Sequence, residues 1–154
     1  MKYVERSSQK EAGGGNIFLE LPAESDDRKN LILHRGTLAF VILNAFPYAN
    51  GHLLVAPFRQ TSDITELSDA ELLEINQLVS KSVSWIRAVY RPDSFNIGIN
   101  MGAAAGAGIP QHIHWHVVPR WIGDTNFMTS IMDTRVMPQS LEDSYVRLMG
   151  AKGG

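Results

Sequence analysis

One long amphipathic segment, residues 68–90, most restricts the folds that are open to this chain. Ser68 followed by Glu71 matches a capping box, a pair of residues that satisfies backbone donors at the start of a helix. Apolar residues recur at helical spacing and form one stripe: Leu72, Ile75, Val79, Val83 and Ile86. Because a helix with one apolar face must bury that face against another element, the rest of the chain has to supply a second layer.

Short β-type runs before and after this predicted helix indicate that the second layer is a sheet. Two of them flank Arg35-Gly36 and predict a hairpin. The predicted strands are residues 31–34, 37–44, 52–57, 95–99 and 111–119, and a short C-terminal helix is predicted over 140–149. We therefore expect an α+β fold in which one long helix packs on an about five-stranded, largely antiparallel sheet.

Length and composition narrow the class of protein further. The 154 residues fit one domain, which we place at residues 16–150, after a flexible N-terminal arm over residues 1–15. A net charge of −2 argues against a nucleic-acid partner, and the lack of cysteine excludes disulfides and thiolate metal sites. The chain has no apolar run of membrane-spanning length and no apolar secretion core near Met1, so we expect no membrane partner and a cytoplasmic location.

Three histidines, His112, His114 and His116, alternate within one predicted strand. Residues two apart in a strand point to the same face, so we expect the three imidazoles on one face with neighbours roughly 6–7 Å apart. A second positive charge so close to a first is disfavoured, so the group can offer a neutral nucleophile and a protonated ring at the same pH. Phosphate chemistry needs both, together with donors for the charged oxygens.

Two other interpretations of the three histidines remain open at this point. They could be surface residues without a role, or they could chelate a metal, because alternate histidines on a strand suit zinc. The preceding Ala/Gly segment, residues 102–108, favours phosphate chemistry, since small residues let backbone N–H groups approach an anion.

Residues 112–118 read His-Ile-His-Trp-His-Val-Val, which resembles the signature of the histidine-triad (HIT) family. Two further blocks resemble the fragile-histidine-triad branch, particularly its bacterial diadenosine-polyphosphate hydrolases and phosphorylases. They comprise Asn44, Pro47, Gly51-His52, Val55 and Pro57, and then Pro119-Arg120-Trp121, Gly123-Asp124 and Asn126-Phe127. The resemblance runs from about residue 16 to residue 148. It implies a HIT-like fold and a homodimer whose sheets join across a two-fold axis.

The resemblance also implies roles for the histidines. His114 would attack the α-phosphorus of a nucleotide and become nucleotidylated, and His112 would orient it, partly through its own backbone carbonyl. His116 would contact the phosphate and help the leaving group depart. His52 would complete the phosphate pocket, and Asn44 would hold the ribose hydroxyls.

Further substrate-binding residues follow from the same resemblance. Asn100 matches a polar position that contacts phosphate, and Phe40 and Ile42 would line the base pocket. Several branches of the family carry Gln and then Ser or Thr just before the triad, but this chain has Gly108-Ile109-Pro110, so we expect backbone N–H groups there to contact the leaving group. The implied enzyme is a nucleotide hydrolase or phosphorylase that cleaves dinucleoside polyphosphates or related nucleoside 5′-phosphate derivatives, with water or phosphate as acceptor. The alternatives are a nucleotide-binding sensor with little turnover and a metal-binding protein that uses the histidine cluster.

One departure from the family concerns metals. Many bacterial relatives carry Cys-x-x-Cys near the N-terminus and a further histidine, which with the first triad histidine hold a structural zinc. The matching stretch here, residues 16–19, has no cysteine, and the later position is Gln60. We therefore expect no structural zinc and no required cofactor, while Mg²⁺ or Mn²⁺ accompanying the substrate phosphates is compatible with the sequence.

Overall fold

The computed structural model of the protein describes residues 15–124 and 139–153. Two short helices, α1 (Ile17–Glu20) and α2 (Asp27–Asn30), precede the strands β1 (Ile32–Arg35), β2 (Ala39–Leu43) and β3 (Leu53–Pro57). The long helix α3 (Asp69–Tyr90) separates these strands from β4 (Ser94–Ile99) and β5 (Trp115–Arg120), and helix α4 (Leu141–Lys152) follows. Short 3₁₀ turns lie at Ile64–Glu66 and Ala103–Ala105. The arm expected over residues 1–15 lies, except for Gly15, outside the described residues.

The five strands form one sheet in the order β1-β2-β3-β5-β4, and each pair of neighbours is antiparallel. The predicted five-stranded antiparallel sheet and the predicted hairpin of its first two strands are confirmed. Strand β5 lies between β3 and β4, where His116 is opposite Leu54 on one side and opposite Gly98 on the other. This order brings the residue that precedes β3, His52, next to the histidine-bearing strand.

Helix α3 begins as its sequence predicts, because both bonds of the capping box between Ser68 and Glu71 are formed. Its apolar stripe packs against β2 and β3, whose residues are all buried. The helix ends at Arg91, which adopts the left-handed conformation at a φ of 47° just before Pro92. Within the described parts of the chain, no helix combines the length and the apolar character that a bilayer-spanning segment needs.

Helix α4 is anchored to the outer strand β1 by two long-range bonds. The Tyr145 hydroxyl donates to the carbonyl of Ile32 at 3.1 Å, and the Lys152 Nζ donates to the carbonyl of Leu33 at 2.8 Å. The predicted C-terminal helix is therefore confirmed, and it extends to Lys152.

The strand that carries the histidines is shorter than its alternating pattern predicts. We expected it to begin at residue 111, but β5 begins at Trp115. The amide of Ile113 instead donates to the carbonyl of Thr61 at 2.7 Å, and the amide of His112 donates to the carbonyl of Ile109 in a turn. The first two triad histidines therefore precede the strand, and their placement depends on contacts outside the sheet.

Candidate active site

Three imidazole rings lie in a row where β3 and β5 run side by side. The ring centroids of His114 and His116 are 5.0 Å apart, and those of His116 and His52 are 5.1 Å apart. The Nε2 of His52 lies 2.9 Å from the Nδ1 of His116, which is a direct hydrogen bond between the two rings. The sheet order thus joins a histidine of the earlier block to the triad.

The hydrogen bonds of His52 determine which nitrogen of His116 carries a proton. The backbone N–H of Tyr48 donates to the Nδ1 of His52 at 3.0 Å, so this nitrogen is an acceptor and the ring proton is on Nε2. That proton is donated to the Nδ1 of His116, which must then hold its own proton on Nε2. Burial and the neighbouring His114 lower the pKa of His116 to about 4, so at neutral pH it is an uncharged donor.

In His114 the proton lies on the other ring nitrogen from that in His116. Its Nδ1 lies 2.8 Å from the carbonyl oxygen of His112, and because a carbonyl only accepts, the proton of the ring is on Nδ1. Burial lowers the pKa of His114, which keeps the ring neutral. Its Nε2 therefore carries a lone pair, and that nitrogen has no hydrogen-bond partner within residues 15–124 and 139–153.

His112 uses both of its ring nitrogens inside the protein. The Nε2 donates to the carbonyl of Pro57 at 2.9 Å, and the Nδ1 accepts from the side-chain amide of Asn16 at 2.9 Å. Only 1% of the residue is exposed, so its ring cannot contact a ligand. It acts on His114 through its carbonyl, and the ring of Phe18 packs against both histidines, at 5.2 Å and 4.8 Å between centroids.

Two polar residues of the earlier block, His52 and Asn44, are buried rather than at the surface. His52 is completely buried, and Asn44 is 9% exposed. The Nδ2 of Asn44 lies 3.2 Å from the Nδ1 of His52, and its Oδ1 accepts from the amide of Phe46 at 3.0 Å. The expected contacts of His52 with phosphate and of Asn44 with ribose stay predictions.

Tyr48 belongs to this cluster, and the sequence analysis did not assign it a role. Its ring is nearly parallel to that of His116, with 8° between the planes and 5.8 Å between centroids, and it lies 4.7 Å from the ring of His52. Nearly half of the residue is exposed. The sequence signal that could have identified Tyr48 is its position between Asn44 and His52, because an aromatic residue that is exposed in a turn calls for a functional explanation.

The remaining expected substrate-binding residues lie in two different environments. Asn100 follows β4 directly and is half-buried, and Gly108 is exposed in the loop before the triad. In that loop Gly102 and Gly106 adopt left-handed φ angles of 81° and 86°, which glycine allows without strain. Phe40 and Ile42 are both 0% exposed in β2, so a base could reach them only if covering side chains moved.

Comparison with known proteins agrees with this geometry. A family model described as the HIT domain matches residues 26–121. The chain is 41% identical over 141 residues to an AP-4-A phosphorylase of Mycobacterium tuberculosis, a match that covers 92% of this chain and 72% of that relative. The chain belongs to the HIT family. The resemblance that the sequence motifs indicated is therefore confirmed.

Other members of the HIT family match over smaller parts or at lower identity. A bis(5′-adenosyl)-triphosphatase of Saccharomyces cerevisiae is 30% identical over 94 residues, which cover 58% of this chain and 44% of that relative. The crystal structure of a Zn-bound histidine triad family protein from Mycobacterium smegmatis superposes with a TM-score of 0.66 at 30% identity, over 80% of this chain and 84% of that chain. These matches confirm the expected HIT-like fold.

The site of this HIT domain can therefore supply two complementary groups to one phosphoryl centre. The His114 Nε2 offers a lone pair, and the neighbouring His116 Nε2 offers an N–H. Among the residues that the structure describes, no group of three or more histidine, aspartate or glutamate side chains is arranged to hold a metal ion. The arrangement suits nucleophilic attack on phosphorus with hydrogen-bond stabilisation of the departing oxygen.

Proposed function

We propose that this HIT protein is an enzyme that cleaves a phosphoanhydride bond of a dinucleoside polyphosphate, or of a related nucleoside 5′-phosphate derivative, through a nucleotidyl intermediate on His114. The observation that carries the proposal is the complementary protonation of His114 and His116, whose rings are 5.0 Å apart. The names of the phosphorylase and triphosphatase relatives support the substrate class.

In the first step, the His114 Nε2 forms a bond to the α-phosphorus as the bond from phosphorus to the bridging oxygen breaks. The electron pair leaves with the bridging oxygen, and the His116 N–H stabilises the developing negative charge by a hydrogen bond. The nucleotidylated His114 then carries a positive charge, which its Nδ1–H shares with the His112 carbonyl.

In the second step, the oxygen of an acceptor attacks phosphorus, and the electron pair of the phosphorus–nitrogen bond returns to the His114 Nε2. With inorganic phosphate as acceptor, diadenosine tetraphosphate would yield ADP and ATP. With water as acceptor it would yield AMP and ATP, and the proton of the water would pass to solvent. The AP-4-A phosphorylase relative favours phosphate as the acceptor.

The test is product analysis with diadenosine tetraphosphate, with and without inorganic phosphate. ADP that appears only with phosphate would identify a phosphorylase, and AMP in both conditions would identify a hydrolase. Intact-protein mass spectrometry at single turnover should detect an adenylyl adduct that His114→Ala abolishes. The matched control is His34→Ala, because His34 lies in β1 against Trp85, away from the triad. A protein that binds the nucleotide but forms neither adduct nor product would be the sensor of the alternative interpretation.

The substrate-binding roles form part of the same proposal. Asn100 lies two residues after Gly98, which pairs with His116, and this supports a contact with phosphate. Gly108 lies in the loop that joins β4 to β5, where its backbone is proposed to contact the leaving group. Asn44 is proposed to hold the ribose, and Phe40 and Ile42 to line the base pocket once a base displaces the residues that cover them. Raised KM values in Asn100→Ala and Asn44→Ala with an unchanged adduct would support these roles.

We also propose that the enzyme needs no structural zinc and no cofactor. The support is that Pro57 and Asn16 occupy both ring nitrogens of His112, which leaves that ring no free lone pair for a metal. Metal analysis by plasma mass spectrometry should find no stoichiometric zinc, and activity should survive exhaustive chelation. Restoration by added Mg²⁺ or Mn²⁺ after chelation would instead indicate an ion that accompanies the substrate phosphates.

A homodimer joined along β4 completes the proposal. Strand β4 is an edge of the sheet, and it exposes 49% of Ile97, while Met101 just beyond it is 39% exposed. Unpaired edges favour pairing with another strand, and two-fold closure is the commonest arrangement of identical chains. Light scattering should give twice the chain mass, and Ile97→Lys should give monomers. We also propose a cytoplasmic location, with which the cysteine-free composition is compatible and which cell fractionation tests.

A further inference from the structure

We propose that Asn16 is a positioning residue for the nucleophile, acting on His114 through His112 and Phe18. Asn16 precedes α1 and lies far from the triad in sequence, yet its side chain contacts the first triad histidine directly. The kinetic part of this inference rests on the function proposed above, whereas its structural part does not depend on any substrate.

The orientation of the Asn16 side chain follows from its hydrogen bonds. Its Oδ1 accepts from the amide of Phe18 at 3.0 Å and so caps α1. The Nδ2 therefore faces the other way, where it lies 2.9 Å from the His112 Nδ1 and 3.1 Å from the Gln60 Oε1. Both of these atoms are acceptors. The Gln60 Oε1 is an amide oxygen, and the His112 Nδ1 accepts because that ring already donates its proton from Nε2 to Pro57.

Two routes lead from Asn16 to the nucleophile. The first passes through His112, whose ring is held between Asn16 and Pro57 and whose carbonyl accepts the Nδ1–H of His114 at 2.8 Å. The second passes through Phe18, which α1 carries against both histidine rings. Asn16 therefore restrains the two groups that limit rotation of the His114 ring.

Asn16 also holds His112 in one protonation state. A proton on the His112 Nδ1 would face the amide hydrogens of Asn16, so the amide favours the neutral ring. Burial and the neighbouring His114 lower the pKa of His112 in the same direction. A neutral His112 matters because a positive charge beside His114 would weaken the lone pair of its Nε2.

The test uses two variants that separate the cap from the contact with His112. Asn16→Asp and Asn16→Ser both keep an oxygen for the helix cap, but neither offers an amide donor to His112. We expect kcat for the nucleotide that the wild type cleaves to fall about tenfold or more, with KM within about twofold. Asn76→Asp is the matched control, because Asn76 is exposed on α3 and changes charge in the same way.

NMR of the histidine ring nitrogens supplies a measurement that a merely structural role would not change. In Asn16→Asp the carboxylate should accept a proton from the His112 Nδ1, so that both ring nitrogens are protonated at neutral pH. In Asn16→Ser the Pro57 carbonyl still holds the proton on Nε2, but no amide opposes a second proton, so the His112 Nδ1 should become protonated at a higher pH than in the wild type. A His112 Nδ1 that becomes protonated at the same pH as in the wild type in both variants, or a kcat within about twofold of the wild type, overturns the proposal.

The two measurements also separate this inference from the proposed function. If the wild type cleaves no nucleotide, the NMR result alone decides whether Asn16 sets the state of His112. Circular dichroism and thermal unfolding verify that each variant folds, and Asn16→Ser supplies the result if Asn16→Asp does not fold.

Discussion

His52 donates a hydrogen bond from its Nε2 to the Nδ1 of His116 at 2.9 Å, although His52 itself is completely buried. Because His52 has no exposed surface in this conformation, it acts on the site through the ring of His116. The bond leaves the proton of His116 on the nitrogen that is free to face a ligand. The protonation of the site is thus set from inside the protein.

His52→Ala should lower kcat about tenfold to a hundredfold, because His116 would no longer be restricted to one tautomer. The variant also leaves the Tyr48 amide without its acceptor, which should cost about 1–3 kcal/mol of the free energy of unfolding. Steady-state kinetics and urea denaturation measure the two effects. His34→Ala is the control for the loss of a histidine, and an unchanged kcat in His52→Ala would contradict the role assigned to the bond.

The triad should also make the protein less stable in acid. Burial, together with the neighbouring His114, lowers the pKa of His116 from 6.5 to about 4, and the pKa values of His112 and His114 are lowered too. The unfolded chain therefore binds protons that the folded protein excludes. The free energy of unfolding should have its full value above pH 6.5 and should decrease as the pH drops towards about 4. Urea denaturation across this range measures the slope, and a flat profile would contradict the shifts.

Loss of the neutral rings should reduce catalysis over the same acid range, since a protonated His114 has no lone pair for attack. Because its pKa is lowered, activity should persist below the pH at which an ordinary histidine becomes protonated. A profile of kcat/KM against pH measures this. An acid limb at or above the ordinary histidine pKa would argue against His114 as a buried nucleophile.

Tyr48 offers a test of the ring packing beside His116. Tyr48→Leu removes the ring that lies nearly parallel to the imidazole, so His116 should become more mobile and kcat should fall several-fold, by an amount on the order of 1 kcal/mol. Tyr48→Phe keeps the ring and should stay closer to the wild type. The order of the two kcat values is the measurement, and equal losses in both variants would assign the effect to the hydroxyl instead.

Gly51→Ala should destabilise the turn that leads into His52. Gly51 has a φ of 79°, and a Cβ there would lie 2.7 Å from the Tyr90 ring. Backbone strain and steric overlap together should lower the free energy of unfolding by about 1–3 kcal/mol. They should also lower kcat, because His52, the next residue, moves with the turn. Gly150→Ala in α4 is the matched control. It meets no atom within 4 Å and should leave the protein unchanged or slightly more stable.

The parts of the fold that the sequence predicted well are those set by local chemistry. The Ser68–Glu71 capping box and the apolar stripe located α3 to within a residue, since each depends on residues three or four positions apart. The start of β5 could not be predicted this way. It depends on the bond from Ile113 to Thr61, and alternation alone extends the strand back through the triad.

The candidate site was likewise only partly predictable from the sequence. The spacing of the triad indicated which histidines act together, but it did not show that His112 directs its ring to Asn16 and Pro57. Nor did it show that the first of the two expected base-pocket residues, Phe40, lies in a strand without exposed surface. These facts arise from contacts between distant segments, which no local pattern encodes.

The pairing of Gly98 with His116 leaves the His116 ring without a bulky neighbour on the β4 side. Residues directly opposite in an antiparallel pair share a face, and a Cβ at position 98 would meet no atom within 4 Å. Position 98 thus borders open space beside the His116 ring. Alanine, serine or threonine there would fill that space by steps without straining the backbone, so that the size of the departing group could be tuned independently of the chemistry.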